Sequence, residues 1–218
     1  MSKLSNKKIL LTTGPTREPI DPVRFISNYS SGKMGFALAE EAVQRGAEVL
    51  MVKGPTSTLF KNAAVHVIEI QTAAEMYNAV NANIEGYDII IYAAAVADYT
   101  PKYIAENKIK KNDSEFSLEL VKTKDIAFEM GKKKSVTQFS VGFALETNNE
   151  EAHALSKLNK KNLDMIVLNS LRDPGAGFQL DTNKITILDK QGNVVKFDTK
   201  SKVETAKDIL DYVEKALV

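Results

Sequence analysis

The chain contains no cysteine, only two histidines, and no apolar run near the roughly 18 residues that a membrane-spanning helix needs. Without cysteine, disulfides, thiolate metal sites and a cysteine nucleophile are excluded, so any thiol in the chemistry belongs to a substrate. His66 falls in a strand-like run and His153 in a helical one, each without motif neighbours. That isolation argues against a two-histidine metal site or a serine-histidine triad. Neither sign of charge is in excess: 29 basic and 28 acidic residues give a net charge of +1, so neither nucleic acid nor a membrane surface is expected as a partner. The N-terminus, Met1-Ser-Lys-Leu-Ser-Asn-Lys-Lys8, has no signal-peptide core, and a cytoplasmic location is expected.

What is present suits one soluble domain spanning residues 1–218, with 44% apolar content to build its core. Short apolar runs at Lys8–Thr13, Ala47–Val52, Val65–Ile70, Tyr87–Ala93, Phe139–Thr147 and Met165–Leu168 read as buried strands. Helical segments alternate with them: one entered at residues 28–35 and ended by Gly46, one capped by Thr72, a short one ending near Gly131, and one over Glu150–Asn162. Ser117–Val121 reads as a further strand, and Lys184–Leu188 with Val194–Phe197 as a hairpin before a last helix, Lys202–Leu217. The alternation predicts a three-layer α/β fold, a mostly parallel sheet with helices on both faces and a C-terminal β-hairpin. Ligands of such sheets bind beyond the carboxyl ends of the strands, which nominates the loops at 14–32 and 93–112 as site walls.

The stretch Asn28-Tyr-Ser-Ser-Gly-Lys-Met-Gly35 stands at the entrance of the first helix. Ser30, Ser31 and Gly32 can leave backbone N–H groups unpaired there, the macrodipole adds partial positive charge, and Lys33 adds a full one, a combination suited to an anion. The structural alternative is a serine cap, with Gly35 allowing close packing on a strand. The loop before it, Gly14 to Arg24, is far longer than the two to six residues common for such connections. A P-loop is excluded because Ser27 and Met34 occupy positions that require glycine and serine or threonine, and no dinucleotide glycine fingerprint follows the first strand. Downstream, small residues in Ala93-Ala-Ala-Val-Ala-Asp98 admit close approach of a flat base, and Asp98 can accept hydrogen bonds from an amino group. On the fourth helix, Lys157 and Lys161 are spaced i, i+4, apart from a face expected to carry Ala152, Leu155 and Leu158.

Taken whole, Gly14 to Gly35 resembles the signature of the phosphopantothenoylcysteine synthetases, as do the Ala93–Asp98 segment, Asn107-Lys-Ile-Lys-Lys111, Phe143-Ala-x-Glu-Thr-Asn148 and Lys157-x-x-x-Lys161. The resemblance implies a Rossmann-like fold and a CTP-dependent ligation of 4′-phosphopantothenate to L-cysteine through an acyl-cytidylate, by a homodimer. It implies catalytic roles for Asn28 and Lys108. Nucleotide contacts are implied for Ser30, Ser31, Gly32, Lys33, Ala93, Ala94, Asp98, Lys108, Asp125, Ile126, Phe143, Lys157 and Lys161. Arg24, Asn28 and Ala94 are implied to touch the acid substrate. Mg²⁺ is expected on the nucleotide phosphates with no protein ligands of its own. Thr123-Lys124 departs from the Asn-Pro common in relatives at that place. The first strand begins by about Lys8, so the flavin domain fused to this one in many relatives, and its decarboxylase activity, are not expected. The competing functions are a short-chain NAD(P)-dependent reductase, suggested by Tyr29-x-x-x-Lys33, and a nucleotide sensor without catalysis. The loop Asp173-Pro-Gly-Ala-Gly-Phe178 shows no clear chemistry.

Overall fold

A computed structural model describes residues 2–110, 116–146, 148–170 and 179–217. Lys111, Thr147 and the Asp173–Phe178 loop, all part of the sequence expectations, lie outside these. In chain order the strands are β1 (Lys8–Thr13), β2 (Arg17–Pro19), β3 (Phe25–Ser27), β4 (Glu48–Lys53), β5 (Val65–Glu69), β6 (Ile89–Tyr92), β7 (Tyr99–Pro101) and β8 (Leu120–Lys122). They continue with β9 (Phe139–Glu146), β10 (Met165–Ser170), β11 (Thr182–Asn183), β12 (Ile185–Asp189), β13 (Val194–Lys196) and β14 (Lys200–Ser201). The helices are α1 (Lys33–Gln44), α2 (Ala73–Asn83), α3 (Ile126–Gly131), α4 (Glu150–Lys160) and α5 (Lys202–Ala216).

Eight strands form one sheet in the order β13-β12-β10-β9-β6-β1-β4-β5. The six from β10 to β5 run parallel, and β12 and β13 add antiparallel at one end. The unbroken apolar runs follow from burial on both faces. Ile9, Leu11, Met51, Ile89 and Ile91 point toward α1 and α5. The residues between them, Leu10, Leu50, Val52 and Ile90, point toward α2 and α3. Helix α4 packs beside these on β10 through Ala154 and Leu158, four residues apart. The face expected from sequence therefore shifts: Ala152 and Leu155 are exposed, and Leu158 is kept.

Two short sheets interrupt the loops read from sequence as irregular. β2 pairs antiparallel with β3 inside the 14–32 segment, and β7 pairs with β8. The Ser117–Val121 strand thus starts later than expected and belongs to this small sheet rather than the main one. Helix α2 begins as read, with Thr72 and Glu75 forming a reciprocal capping box. Helix α1 takes neither serine as its cap. Gly32 stands there in the left-handed region at φ 77°, with no side-chain hydrogen bond to the first turn.

Gly35 fixes how closely α1 approaches β1. A Cβ there would lie 2.1 Å from Oγ1 and 2.4 Å from Cβ of Thr13, a fully buried residue whose hydroxyl donates to the Gly32 carbonyl. Gly35→Ala gains about 1 kcal/mol in helix propensity, but overpacking costs about 1–3 kcal/mol. We expect a net loss of stability, read as a lower urea midpoint at unchanged slope. A raised midpoint would show that α1 can slide away from β1 freely.

Candidate active site

The chain leaves β1 through α1 toward β4 on one face, and it leaves the adjacent β6 toward α3 and β9 on the other. Connections diverging from adjacent parallel strands open a crevice at their carboxyl ends. A cavity of about 430 Å³ occupies that crevice. One wall is the segment after β6, where pairing with the chain of β1 is only partial and side chains take over the remaining backbone groups. Ala93 N–H donates to the Thr12 carbonyl and Ala94 N–H to Thr12 Oγ1, while Ala97 N–H donates to Thr16 Oγ1. From the other side, Asn28 Nδ2 donates to the carbonyls of Ala95 and Val96 at 3.0 and 3.1 Å. Thr123, at the departure from the family pattern, donates its hydroxyl to Ala97 O and its N–H to Asp98 O.

Ser30, Ser31, Gly32 and Lys33 line the same cavity opposite that wall. Lys33 Nζ lies 2.6 Å from Asp181, which is largely exposed. Past β9 the cavity becomes an apolar slot between Phe143, Ala144, Ile126 and Leu163, with Tyr92 beside it. Burial pushes the Tyr92 phenol well above its usual range, so it stays neutral and able to donate. Around the slot Lys157 pairs with Glu146 at 2.6 Å and Lys161 with Asp125 at 3.1 Å. Asp125 also caps α3 by accepting from Phe128 N–H.

Five lysines and two aspartates line the cavity among the described residues, so its lining is positively charged. Sequence patterns missed several of them. Tyr92 hides in a strand that otherwise reads as core. Lys202 opens α5, where a cation opposes the macrodipole, and it is 7% exposed. Burial first, then the like charge of Lys33, holds its ammonium below the usual lysine range. Asn183 is buried beside Met34, its Oδ1 without a hydrogen-bond partner among the described residues. The described residues hold no cluster of three or more His, Cys, Asp or Glu able to bind a metal.

The structure gathers Asn28, Ser30, Ser31, Gly32, Lys33, Ala93, Ala94, Asp98, Asp125, Ile126, Phe143, Lys157 and Lys161 around one space. It leaves two residues outside. Lys108 is exposed and away from the cavity lining. Arg24 is spent on Asp21, which accepts from its Nε at 3.0 Å, while Arg24 also donates to Ile109 O. Asp21 is 3% exposed and additionally accepts from the N–H groups of Val23, Arg24 and Ile109. The guanidinium, aided by those amides, holds its carboxyl far below the ordinary value of 3.8.

A depressed carboxyl pKa means that this clamp contributes stability above the ordinary value and loses it as pH falls through the folded-state value. Asp21→Asn should accelerate exchange of the Ile109 amide by about 10- to 100-fold, the loss of a charge-assisted hydrogen bond. Unchanged protection at Ile109 would show that other contacts hold this segment.

A family model described as DNA/pantothenate metabolism flavoprotein C-terminal domain matches residues 4–217. The chain is 53% identical over 207 residues to a prokaryotic protein named cysteine/cysteine sulfinic acid decarboxylase, covering 95% of this chain and 58% of that protein. It is 47% identical over 210 residues to the coenzyme A biosynthesis bifunctional protein CoaBC of Bacillus subtilis (strain 168), covering 96% and 52% respectively. The chain thus spans about half the length of the curated relatives it matches. The crystal structure of the C-terminal domain of a coenzyme A biosynthesis bifunctional protein CoaBC superposes with a TM-score of 0.83 at 42% identity, covering 98% of each chain. On this match over nearly its whole length, the chain belongs to the DNA/pantothenate metabolism flavoprotein C-terminal domain family.

Proposed function

We propose that this domain is an amide-forming ligase of coenzyme A biosynthesis that joins (R)-4′-phosphopantothenate to L-cysteine with CTP. The observation that carries this reading is the joining, in one cavity, of apolar residues able to flank a base with several lysines and the entrance of α1. The names of the CoaBC relatives favour the same pathway. In the first step a carboxylate oxygen of the acid attacks the α-phosphorus of CTP, a P–O bond breaks, and pyrophosphate leaves. In the second the cysteine amine attacks the acyl carbon, CMP leaves with the bonding pair, and the nitrogen loses a proton. Activation is needed because a carboxylate is a poor electrophile, and no protein nucleophile is required.

Phe143 and Ile126 would hold the base, with Asp98 and the wall backbone offering it polar partners. Lys157, Lys161 and Lys33 would take phosphate charge together with Ser30, Ser31 and Gly32. Mg²⁺ would enter on the nucleotide, where it neutralises phosphate oxygens; the lysine-dominated donor set suits a metal carried by phosphate rather than a protein cage. Lys108 would stabilise charge at the α-phosphate once the segment bearing it reaches over the cavity. A homodimer in the cytoplasm is the expected form. Val23, Phe25, Tyr99, Leu120 and Val121, on or beside the two small sheets, are exposed apolar residues that a second copy would cover. The reductase alternative lacks support, because Tyr29 is 81% exposed and Lys33 pairs with Asp181.

The decisive assay is cysteine- and phosphopantothenate-dependent release of CMP and pyrophosphate, with CTP far better than ATP. Equal specificity constants for the two nucleotides would overturn the cytosine assignment, and no amide product would overturn the ligase.

Asn28 has both amide protons committed to wall carbonyls, so its contribution begins with the position of that wall. Asn28→Asp sets a carboxylate against two carbonyl oxygens. It should raise KM for CTP and leave acyl-cytidylate poorly converted, detected by mass analysis of a quenched reaction. Wild-type turnover without accumulated intermediate would remove Asn28 from the site.

A further inference from the structure

We infer that a second cavity, across the 28–33 loop from the first, is a phosphate-binding subsite whose specificity-determining residue is Arg17. This inference rests on the ligase reading above, which it deepens. The cavity measures about 490 Å³ and shares Asn28, Ser30, Ser31 and Lys33 with the first. Its other walls are the β2–β3 hairpin and the loop after β4, where Ser57 and Thr58 add hydroxyls.

Charge decides what this space accepts. Among the described residues lining it there is no aspartate or glutamate, whereas Arg17 and Lys33 both contribute cations. The carboxylates close to Arg17 in sequence are committed elsewhere. Glu18 lies on the opposite face of β2, 3% exposed, accepting from Ala73 N–H at the start of α2 at 2.9 Å. Asp21 is saturated by Arg24 and three amides. The Arg17 side chain has no ion-pair or hydrogen-bond partner among the described residues; it is held by stacking, with its guanidinium carbon 4.6 Å from the centroid of the Phe25 ring. A planar fork fixed on an aromatic face, its N–H edges unspent, matches phosphate bidentately. Residue pairing explains the placement: Arg17 opposes Ser27 in the hairpin, so Arg17, Phe25 and Ser27 share the face turned to the cavity.

The shared wall puts a phosphate bound here next to the proposed reacting centre. It has two possible sources, the phosphomonoester end of the acid substrate and the pyrophosphate portion of the nucleotide. The test is isothermal titration of the full chain, without nucleotide, with inorganic phosphate and with pyrophosphate, repeated on Arg17→Ala and Arg17→Lys. At least one probe should bind, with Arg17→Ala weakening it about tenfold or more and Arg17→Lys, which keeps the charge but loses the fork, weakening it less. In turnover, a raised KM for phosphopantothenate alone assigns the acid's phosphate, and a raised KM for CTP with weaker pyrophosphate inhibition assigns the nucleotide's. The inference is overturned if neither probe binds, or if both bind within twofold in all three proteins with both KM values unchanged. Arg17→Lys carries the test if Arg17→Ala fails to fold. Arg17-dependent phosphate binding by a chain that forms no amide would sink the ligase reading and leave the subsite standing.

Discussion

Residues 93–98 leave the sheet, and the site depends on where their N–H and C=O groups beyond those paired with Thr12 and Gly14 find partners. Thr12 and Thr16, both nearly inaccessible, answer the N–H groups of Ala94 and Ala97. Asn28 answers two carbonyls, and Thr123 two more. Three segments far apart in sequence thus converge on six residues whose own side chains are mostly methyl groups. The small side chains leave the backbone edge open to a ligand while the hydrogen bonds fix its shape before a ligand arrives, which is the condition for positioning two reacting groups.

The lysines around the cavity are not equivalent. Lys157 rests on Glu146, a carboxylate only 13% exposed, so removing its partner would strand a largely desolvated charge. Lys33 rests on Asp181, whose side chain is 86% exposed, and a pair of that kind contributes little in water. An incoming phosphate can therefore draw Lys33 away at small cost, whereas Lys157 stays with its carboxylate and serves as a fixed part of the rim. Lys202 is different again: burial beside another cation disfavours its charge, the sort of local cost that persists at functional sites.

All eight strands of the main sheet were legible in the sequence. Burial on both faces writes the inner ones as unbroken apolar runs such as Ile89 to Ile91, while the exposed edge strands β5 and β13 were legible from β-branched residues between turn signals. The hairpins were not. Arg17–Pro19, Phe25–Ser27 and Tyr99–Pro101 are three residues long, and the first and last carry proline, so they offer neither period nor length. Thirteen of the residues that line the cavity were named through motif resemblance, which reaches polar residues on loops. Tyr92 and Lys202 escaped because one looks like core and the other like an ordinary charge at a helix start. For α4 the period was right and the phase wrong: Ala154 and Leu158 satisfy the same spacing as the residues expected, and only the position of β10 chooses between them.

Arg24 and Lys108 fall outside the cavity for a common reason. Ile109 is held at both its N–H and its carbonyl by the Asp21–Arg24 pair, and Ala105 N–H donates to Ile20 O. Farther back, Lys102 N–H donates to Glu119 O beside the β7–β8 pair. Lys108 therefore sits between fixed points, one residue from the nearest, with its side chain in solvent. In this arrangement Lys108 lines neither cavity. The β2–β3 hairpin presents Arg17 to the second cavity and, through Ser27, leads directly into Asn28. It is therefore joined directly to walls of both cavities.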